Sequence, residues 1–220
     1  MNVYFITKQI NDLNGDAILK DISISQLKRM AEILVIDDNA FTYLDSLQKH
    51  EFNIEYRSDI QSLKDVEAYD VILCDVRGVG KFLTSKYEGA YLVKQIKEKY
   101  PNKIVISYTA NDFDPVFQQY LSYADAIVPK GCSLEDWSPL LAEKLKESAD
   151  PVKQWEKTRI ALLNAGVKTI EVAKLESKYV KAIQEGSFET IKKLYSGKKS
   201  VESNIMLSLL SSTIAKIFKP

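Results

Sequence analysis

An aliphatic run that ends on two adjacent aspartates constrains the fold of this chain more than any other stretch. Residues Ile33–Ile36 are all apolar, and Asp37 and Asp38 follow them directly. An uninterrupted apolar run predicts a strand buried on both faces, as in a parallel sheet. Two like charges at its end are costly unless the turn is solvated or a cation binds there. Hard oxygen ligands suit Mg²⁺, so the pair is a candidate metal site.

Four later segments extend this pattern. Val71–Asp75 is apolar and ends on a carboxylate, Ile104–Thr109 ends on a hydroxyl, and Lys130 follows Ala126–Pro129. Residues 53–56 are a shorter strand candidate, and segments with helical periodicity separate the strands. Alternating strands and helices predict an α/β domain with a doubly wound, five-stranded parallel sheet. Right-handed crossovers then bring the carboxyl ends of the strands to one edge of that sheet.

The polar residues at these strand ends form a chemically coherent set. It consists of Asp37, Asp38, Asp75, Thr109 and Lys130. Taken singly, Thr109 is equally compatible with a strand-end cap and Lys130 with a solvated cation. Taken together, a metal held by carboxylates and a lysine beside a free carboxylate are what phosphoryl transfer onto that carboxylate requires.

The order and spacing of these motifs resemble the response-regulator receiver domain of two-component signalling. The resemblance rests on residues 33–38, 71–75, 106–110 and 124–130, and it covers roughly residues 32–149. It implies a flavodoxin-like sheet with Asp75 as phosphoacceptor. It also implies a histidine kinase or phosphotransfer protein as donor, and no enzymatic activity beyond self-phosphotransfer and autodephosphorylation.

The resemblance also implies a Mg²⁺ ligand set. Asp38 and Asp75 would hold the ion directly, together with the backbone carbonyl of Arg77, whereas Asp37 would act largely through water. Thr109, Lys130 and the backbone of Ala110 would contact the phosphoryl oxygens and couple the site to the far face of the domain.

Two positions resemble those that tune phosphate lifetime in the family, and here they are Arg77 and Asn111. We expect the Arg77 side chain to pair with or shield the phosphoryl group and so to slow hydrolysis. An acyl-phosphate half-life in Arg77→Ala that equals or exceeds the wild-type value would contradict this expectation.

Several features depart from the family pattern. The loop after the acceptor, residues 76–88, is long; its Gly-Lys fragment lacks P-loop spacing, which favours a flexible insertion. Ile127 stands where the family's switch aromatic is usual, and Gly131 replaces the proline that commonly follows the lysine. Cys74 and Cys132 flank the site; redox sensing is conceivable, but free cysteines more often act as small core residues.

The remaining segments predict a three-part organisation, with an N-terminal extension at 1–31, a receiver domain at 32–149 and a helical module at 150–220. In the extension, residues 3–6 suggest a strand, 14–16 a turn and 25–31 a helix. We expect four helices in the module, the last running from Ser200 to Phe218. Residues 1–150 carry a net charge of −7 and residues 151–220 one of +7.

This charge split leaves the role of the helical module open. The favoured interpretation is dimerisation or docking of an effector protein through apolar helix faces. A DNA-binding regulator with an atypical helical reader is the alternative, although no helix-turn-helix pattern is recognisable. A constitutive receiver scaffold, a solvated basic face and peripheral membrane attachment are further possibilities.

Composition favours a cytoplasmic protein. Two cysteines do not form a disulfide framework, and the first residues lack the basic lead and apolar core of a signal peptide. No stretch reaches the roughly 18 apolar residues that a membrane span requires. We therefore expect no transmembrane segment.

Overall fold

The predicted strands form a single parallel sheet. A computed structural model describes residues 8–110, 115–198 and 200–218, and its strand order is β2–β1–β3–β4–β5. The strands are Ile33–Ile36 (β1), Ile54–Arg57 (β2), Val71–Asp75 (β3), Ile104–Thr109 (β4) and Ala126–Pro129 (β5). This is the flavodoxin-like doubly wound order, which places ligand sites outside the carboxyl ends of the strands.

Helices follow the strands and continue beyond the sheet. The first six are Gly15–Leu19 (α1), Ile24–Met30 (α2), Leu44–Lys49 (α3), Glu88–Lys99 (α4), Pro115–Leu121 (α5) and Leu134–Ala149 (α6). The last five are Pro151–Asn164 (α7), Thr169–Glu185 (α8), Glu189–Tyr195 (α9), Val201–Leu210 (α10) and Thr213–Ile217 (α11). In this described part of the chain, no helix is both long enough and apolar enough to cross a membrane.

Successive side chains of each strand point to opposite faces of the sheet. Both faces are buried because helices cover each of them. One face packs against α2, α3 and α6, with Val35, Leu73 and Trp137 in its core. The other packs against α4, with Leu34, Ile72 and Val93 in its core. The uninterrupted apolar pattern of the central strands therefore reflects burial on two sides.

The helical module has a hydrophobic core of its own. Trp155 and Tyr179 stack with their ring centroids 5.1 Å apart, and Met206 and Ile214 pack into the same cluster. Ile10 belongs to this cluster as well, whereas Leu27 packs under the sheet. The N-terminal segment thus contributes to both cores.

The prediction of four C-terminal helices is wrong, because residues 150–198 and 200–218, as described, form five. Ser200 caps α10 as expected, with its hydroxyl accepting from the N–H of Ser203 at 3.0 Å. The helix then stops at Ser211 and Ser212, whose hydroxyls donate to the carbonyls of Ser208 and Leu209. Such local bonds compete with the helical pattern and separate α10 from α11.

Ser58 as a possible N-cap and the spacing of Ile60, Leu63 and Val66 predict a helix after β2, and this prediction is wrong. Only a 3₁₀ turn, Leu63–Val66, forms there, and Ser62 rather than Ser58 caps it. The Asp59 carboxylate accepts from the N–H groups of Ile60 and Gly80, which holds the chain in a non-helical path.

Two smaller expectations also require correction, and one cannot be compared. The predicted turn at 14–16 is the start of α1, where the side chain of Asn14 accepts from the N–H of Ala17 at 3.1 Å. The sequence predicts Thr169 as a helix cap, but it is the first residue of α8, and Lys168 is at the cap position. The strand predicted at 3–6 lies outside the described residues.

Polar contacts join the helical module to the amino ends of the central strands. Lys216 on α11 places its Nζ 2.7 Å from Asp70 and 3.0 Å from Glu32, the residues that precede β3 and β1. Asn102, near the start of β4, donates to the Gln154 carbonyl and the Thr158 hydroxyl on α7, both at 2.9 Å. The module therefore packs against the edge of the sheet opposite the carboxyl ends.

Candidate metal and anion site

Three carboxylates meet at the carboxyl edge of the sheet. Asp37 and Asp38 follow β1, and Asp75 ends β3, so the parallel arrangement brings them side by side. One oxygen from each of the three lies within 4.8 Å of the others. Asp37 and Asp75 are buried whereas Asp38 is exposed, so the cluster opens towards solvent on one side.

Lys130 is the cation of this cluster. Its Nζ lies 2.5 Å from Asp75 Oδ2 and 3.4 Å from Asp37 Oδ2. Burial raises the pKa of Asp75, and the hydrogen bond and charge of Lys130 offset that effect in part. Burial disfavours the Lys130 ammonium, but the hydrogen bond and charge of Asp75 outweigh it and raise the pKa of Lys130. The ammonium is therefore retained beside the carboxylate.

The backbone after β3 fixes the second oxygen of Asp75. Asp75 Oδ1 accepts from the N–H of Val76 at 2.7 Å and from that of Arg77 at 3.4 Å. Gly89, in the first turn of α4, lies so close that a Cβ there would come 1.9 Å from the Asp75 carbonyl oxygen. The close approach of α4 to the end of β3 therefore requires glycine at this position.

Asp37 is held by donors that the sequence did not reveal. Its Oδ1 accepts from the N–H of Asn39 at 2.9 Å, and its Oδ2 accepts from the Tyr108 hydroxyl at 2.8 Å. Tyr108 precedes Thr109, so alternation along β4 turns the two side chains to opposite faces. An aromatic residue directly before the hydroxyl at the end of β4 was the only signal that could have drawn attention to it.

A cleft of about 380 Å³ opens above the carboxylates. It is lined by Asp38, Asn39, Asp75, Arg77, Thr109, Ala110 and Lys130. The structure thus brings the five strand-end residues singled out in the sequence to one place, with Asp37 beneath the cleft. Asn111, the second predicted tuning position, lies outside the described residues.

The carboxylates fit a hard divalent cation. Asp38 is exposed at the cleft, and Gly78, with φ of 75°, leaves room for it, since a Cβ there would lie 2.2 Å from Asp38 Oδ2. Asp37, by contrast, is buried beneath the cleft and does not line it, which agrees with a role through water. Mg²⁺ commonly keeps several waters and takes one or two carboxylates, a demand that Asp38 and Asp75 meet.

The long loop after Asp75 is anchored at several points. Asp59 accepts from the N–H groups of Gly80 at 2.7 Å and Lys81 at 3.2 Å, and Glu88 accepts from Gly78 at 2.9 Å. The side chain of Val79 is buried in the core beside α4. These bonds do not support the interpretation of residues 76–88 as a flexible insertion.

Three other residues singled out in the sequence lie near the cleft. The Arg77 guanidinium stands 4.5 Å from the Phe117 ring centroid, so its predicted effect on phosphate lifetime requires it to leave or share that contact. Ile127 is 49% exposed on β5. Burial raises the pKa of the Cys74 thiol well above its usual value, which favours a core role over redox sensing.

In comparisons with known proteins, about half of the chain is similar to solved structures. No family model matches the sequence, and no curated protein matches it either. A response regulator receiver domain protein from Methanospirillum hungatei is 21% identical, covers 53% of this chain and 94% of its own, and has a TM-score of 0.44. A response regulator from Thermotoga maritima is 19% identical, with coverages of 52% and 97% and a TM-score of 0.43.

A third solved structure carries a modified aspartate. It is a response regulator from Burkholderia pseudomallei with a phosphorylated aspartic acid, a calcium ion and citrate. It is 18% identical, covers 66% of this chain and 91% of its own, and has a TM-score of 0.41. Over about half of its length the chain is thus similar to solved receiver domains. This likeness concerns the fold, and the strand order of the chain itself defines that fold.

Proposed function

We propose that this chain is a two-component response regulator that accepts a phosphoryl group on Asp75. The observation that carries the proposal is the contact between Lys130 and Asp75 within a cluster of three carboxylates at an open cleft. A structural ion pair needs one carboxylate for one ammonium. The surplus of negative charge is what a site for a divalent cation requires.

In the proposed reaction, an oxygen of the Asp75 carboxylate attacks the phosphorus of a phosphohistidine. A new P–O bond forms while the P–N bond of the donor breaks, and the histidine departs. Lys130 neutralises the phosphoryl oxygens, Thr109 offers its hydroxyl, and the N–H groups of Val76 and Arg77 orient the carboxylate. Mg²⁺ bound by Asp38 and Asp75 would supply further positive charge at the same oxygens.

For the helical module we propose protein–protein interaction or dimerisation as the output. Ile160 and Leu163 on α7 and Ile170 on α8 are 60%, 42% and 52% exposed, so these two helices offer apolar side chains to a partner. The apolar residues of α10 and α11, by contrast, are largely buried inside the module itself. Association would therefore use α7 and α8 rather than the last helices.

Incubation of the purified chain with acetyl phosphate and Mg²⁺ tests the phosphoacceptor. We expect the mass to rise by one phosphoryl group, with the modified residue mapped to Asp75 after borohydride trapping. Removal of Mg²⁺ with a chelator and the Asp75→Asn variant should each abolish the label. A label on another residue, or none on the wild type, would refute the proposal.

A measurement of size with and without beryllofluoride tests the output. A response regulator that works through association should change its oligomeric state, or its binding of a partner, when Asp75 carries the phosphoryl mimic. An unchanged size, together with salt-dependent binding to DNA, would favour the DNA-binding alternative. Absence of any response despite phosphorylation would favour a constitutive scaffold.

A further inference from the structure

Tyr108 connects the acidic site to the hydrophobic core. It is 3% exposed and pairs with Asp75 in the register of β3 and β4. Its hydroxyl donates to Asp37 Oδ2 at 2.8 Å.

This hydrogen bond affects whether the Lys130 ammonium lies closer to Asp75 or to Asp37. Asp37 Oδ2 accepts from Tyr108 at 2.8 Å, while Lys130 stays 3.4 Å from the same oxygen and comes within 2.5 Å of Asp75. Because the neutral Tyr108 hydroxyl already donates to Asp37, that carboxylate attracts the Lys130 ammonium less strongly. Loss of the hydroxyl would let Lys130 move from Asp75 towards Asp37.

The ring of Tyr108 leads away from the site to α6. It meets the Trp137 ring edge to face, with centroids 5.9 Å apart, and Phe41 contacts both rings at 5.8 Å. Trp137 is 1% exposed in α6, and Asp150 alone separates the end of α6 from the start of α7 in the helical module. A buried aromatic contact thus spans the distance between Asp37 and the helix that leads to the module.

We propose that Tyr108 is a positioning residue that holds Asp37, keeps Lys130 on Asp75, and transmits the state of the site to Trp137 on α6. This inference rests on the phosphoacceptor function proposed above. It assigns the coupling to a residue on β4, whereas the usual aromatic position on β5 holds the exposed Ile127.

The chain offers a matched control for the hydroxyl. Tyr56 donates to the main-chain carbonyl of Asp37 at 2.9 Å, so Tyr56→Phe removes a bond of similar length to the same residue without touching its carboxylate. Tyr108→Phe removes the bond to the carboxylate and keeps the ring. Any difference between the two variants then reports on the carboxylate contact.

Fluorine NMR of the full chain labelled with 5-fluorotryptophan supplies the readout. The chain has two tryptophans, and Trp155→Phe assigns the two signals. We expect the Trp137 signal to shift when Mg²⁺ and beryllofluoride are added, and the Trp155 signal to shift less. Tyr108→Phe should lose more than half of the Trp137 shift, whereas Tyr56→Phe should keep it. Phosphorylation by acetyl phosphate should slow on the order of tenfold in Tyr108→Phe.

The outcomes separate this inference from the proposed function. If the wild type is phosphorylated on Asp75 but the Trp137 shift is equal in wild type and Tyr108→Phe, the inference is overturned and the proposed function stands. If the wild type is not phosphorylated, the proposed function fails. The positioning role is then tested separately, by recording the Trp137 signal of Asp37→Asn without metal. A Trp137 shift caused by Asp37→Asn that Tyr108→Phe abolishes supports the positioning role; equal shifts in both backgrounds overturn it.

Discussion

The sheet has an amino edge, where its strands begin, and a carboxyl edge, where they end. Both edges carry an aspartate next to a lysine, but the two pairs serve opposite purposes. At the amino edge Asp70 meets Lys216 at 2.7 Å, and at the carboxyl edge Asp75 meets Lys130 at 2.5 Å. The two aspartates lie at opposite ends of β3. Lys216 comes from the helical module and closes its edge, whereas Lys130 stands in a cleft that solvent enters.

Access to solvent explains the difference. At the amino edge Lys216 contacts Asp70 and Glu32, Lys103 lies near the same carboxylates, and the side chain of Asp70 is 1% exposed. At the carboxyl edge Lys130 contacts Asp37 and Asp75, while Asp38 is exposed at the cleft. An ion pair buried beneath a packed helix holds a structure together, whereas carboxylates beside open space can bind a ligand. An aspartate next to a lysine therefore indicates function only when it faces such a space.

Exchange of each aspartate for asparagine should give the largest contrast. Asp70→Asn removes the buried partner of Lys216 and should lower the free energy of unfolding by about 3 kcal/mol. Asp75→Asn should leave stability equal or raise it, because burial already disfavours the charged carboxylate, as the raised pKa shows. Urea unfolding measures both variants, with Asp45→Asn, in the first turn of α3, as a surface control.

Function should show the reverse. Asp70→Asn, once folded, should still accept a phosphoryl group from acetyl phosphate, while Asp75→Asn should not. Equal losses of stability in the two variants would mean that both edges are structural. The comparison would then fail.

Replacement of the two lysines sharpens the contrast further. Lys130→Gln should slow phosphorylation of Asp75 about 100-fold, since a preorganised donor to a phosphoryl oxygen is lost. Lys216→Gln should leave that rate near the wild-type value, because Lys216 lies at the other edge. Rates from acetyl phosphate at fixed Mg²⁺ decide the matter, and a similar slowing in both variants would contradict a local role for Lys130.

The sequence predicted the carboxyl edge far better than the amino edge. The residues of the cleft follow their strands directly, so strand order and parallel packing were sufficient to bring Asp38, Asp75 and Lys130 together. Lys216 and Asp70 are 146 positions apart, and no periodicity links a helix end to a strand start at that separation. Tyr108 also remained unrecognised, because a buried tyrosine in a strand ordinarily serves packing.

The C-terminal helices show a second limit. An apolar run from Ile205 to Phe218 predicts one helix, since its length and spacing are helical. The break at Ser211 and Ser212 depends on hydroxyls that bond back to carbonyls of the preceding turn, and such bonds also occur in continuous helices. The choice is made by packing against α6 and α7, which the local sequence does not encode.

The closed edge should also have a measurable pH dependence. Burial lowers the pKa of Lys103 to about 8, against the opposing charges of Asp70 and Glu67. The unfolded chain binds more protons than the folded one between pH 8 and the ordinary lysine pKa, so this group makes stability rise with pH in that window. From pH 8 to 9.5 the gain should be about 1–2 kcal/mol.

Lys103→Met removes this titration and serves as the reference. The difference in free energy of unfolding between wild type and variant, measured at each pH, cancels the contributions of the other groups. A difference that grows in favour of the wild type as pH rises supports a Lys103 ammonium that is destabilised by burial. A flat difference would show that Lys103 titrates as a solvated lysine and that this edge is more open than its contacts indicate.

The smallest effect concerns two serines at the closed edge. Ser208 is 5% exposed, and among the described residues its Oγ has no hydrogen-bond partner, whereas Ser148 Oγ bonds to the Leu145 carbonyl at 2.8 Å and to the Thr213 hydroxyl at 3.0 Å. An unpaired buried hydroxyl costs free energy, so Ser208→Ala should stabilise the fold by about 0.5–1 kcal/mol. Ser148→Ala should destabilise it by about 1 kcal/mol. If Ser208→Ala destabilises the fold as much as Ser148→Ala does, the Ser208 hydroxyl has a hydrogen-bond partner and serves the amino edge as Ser148 does.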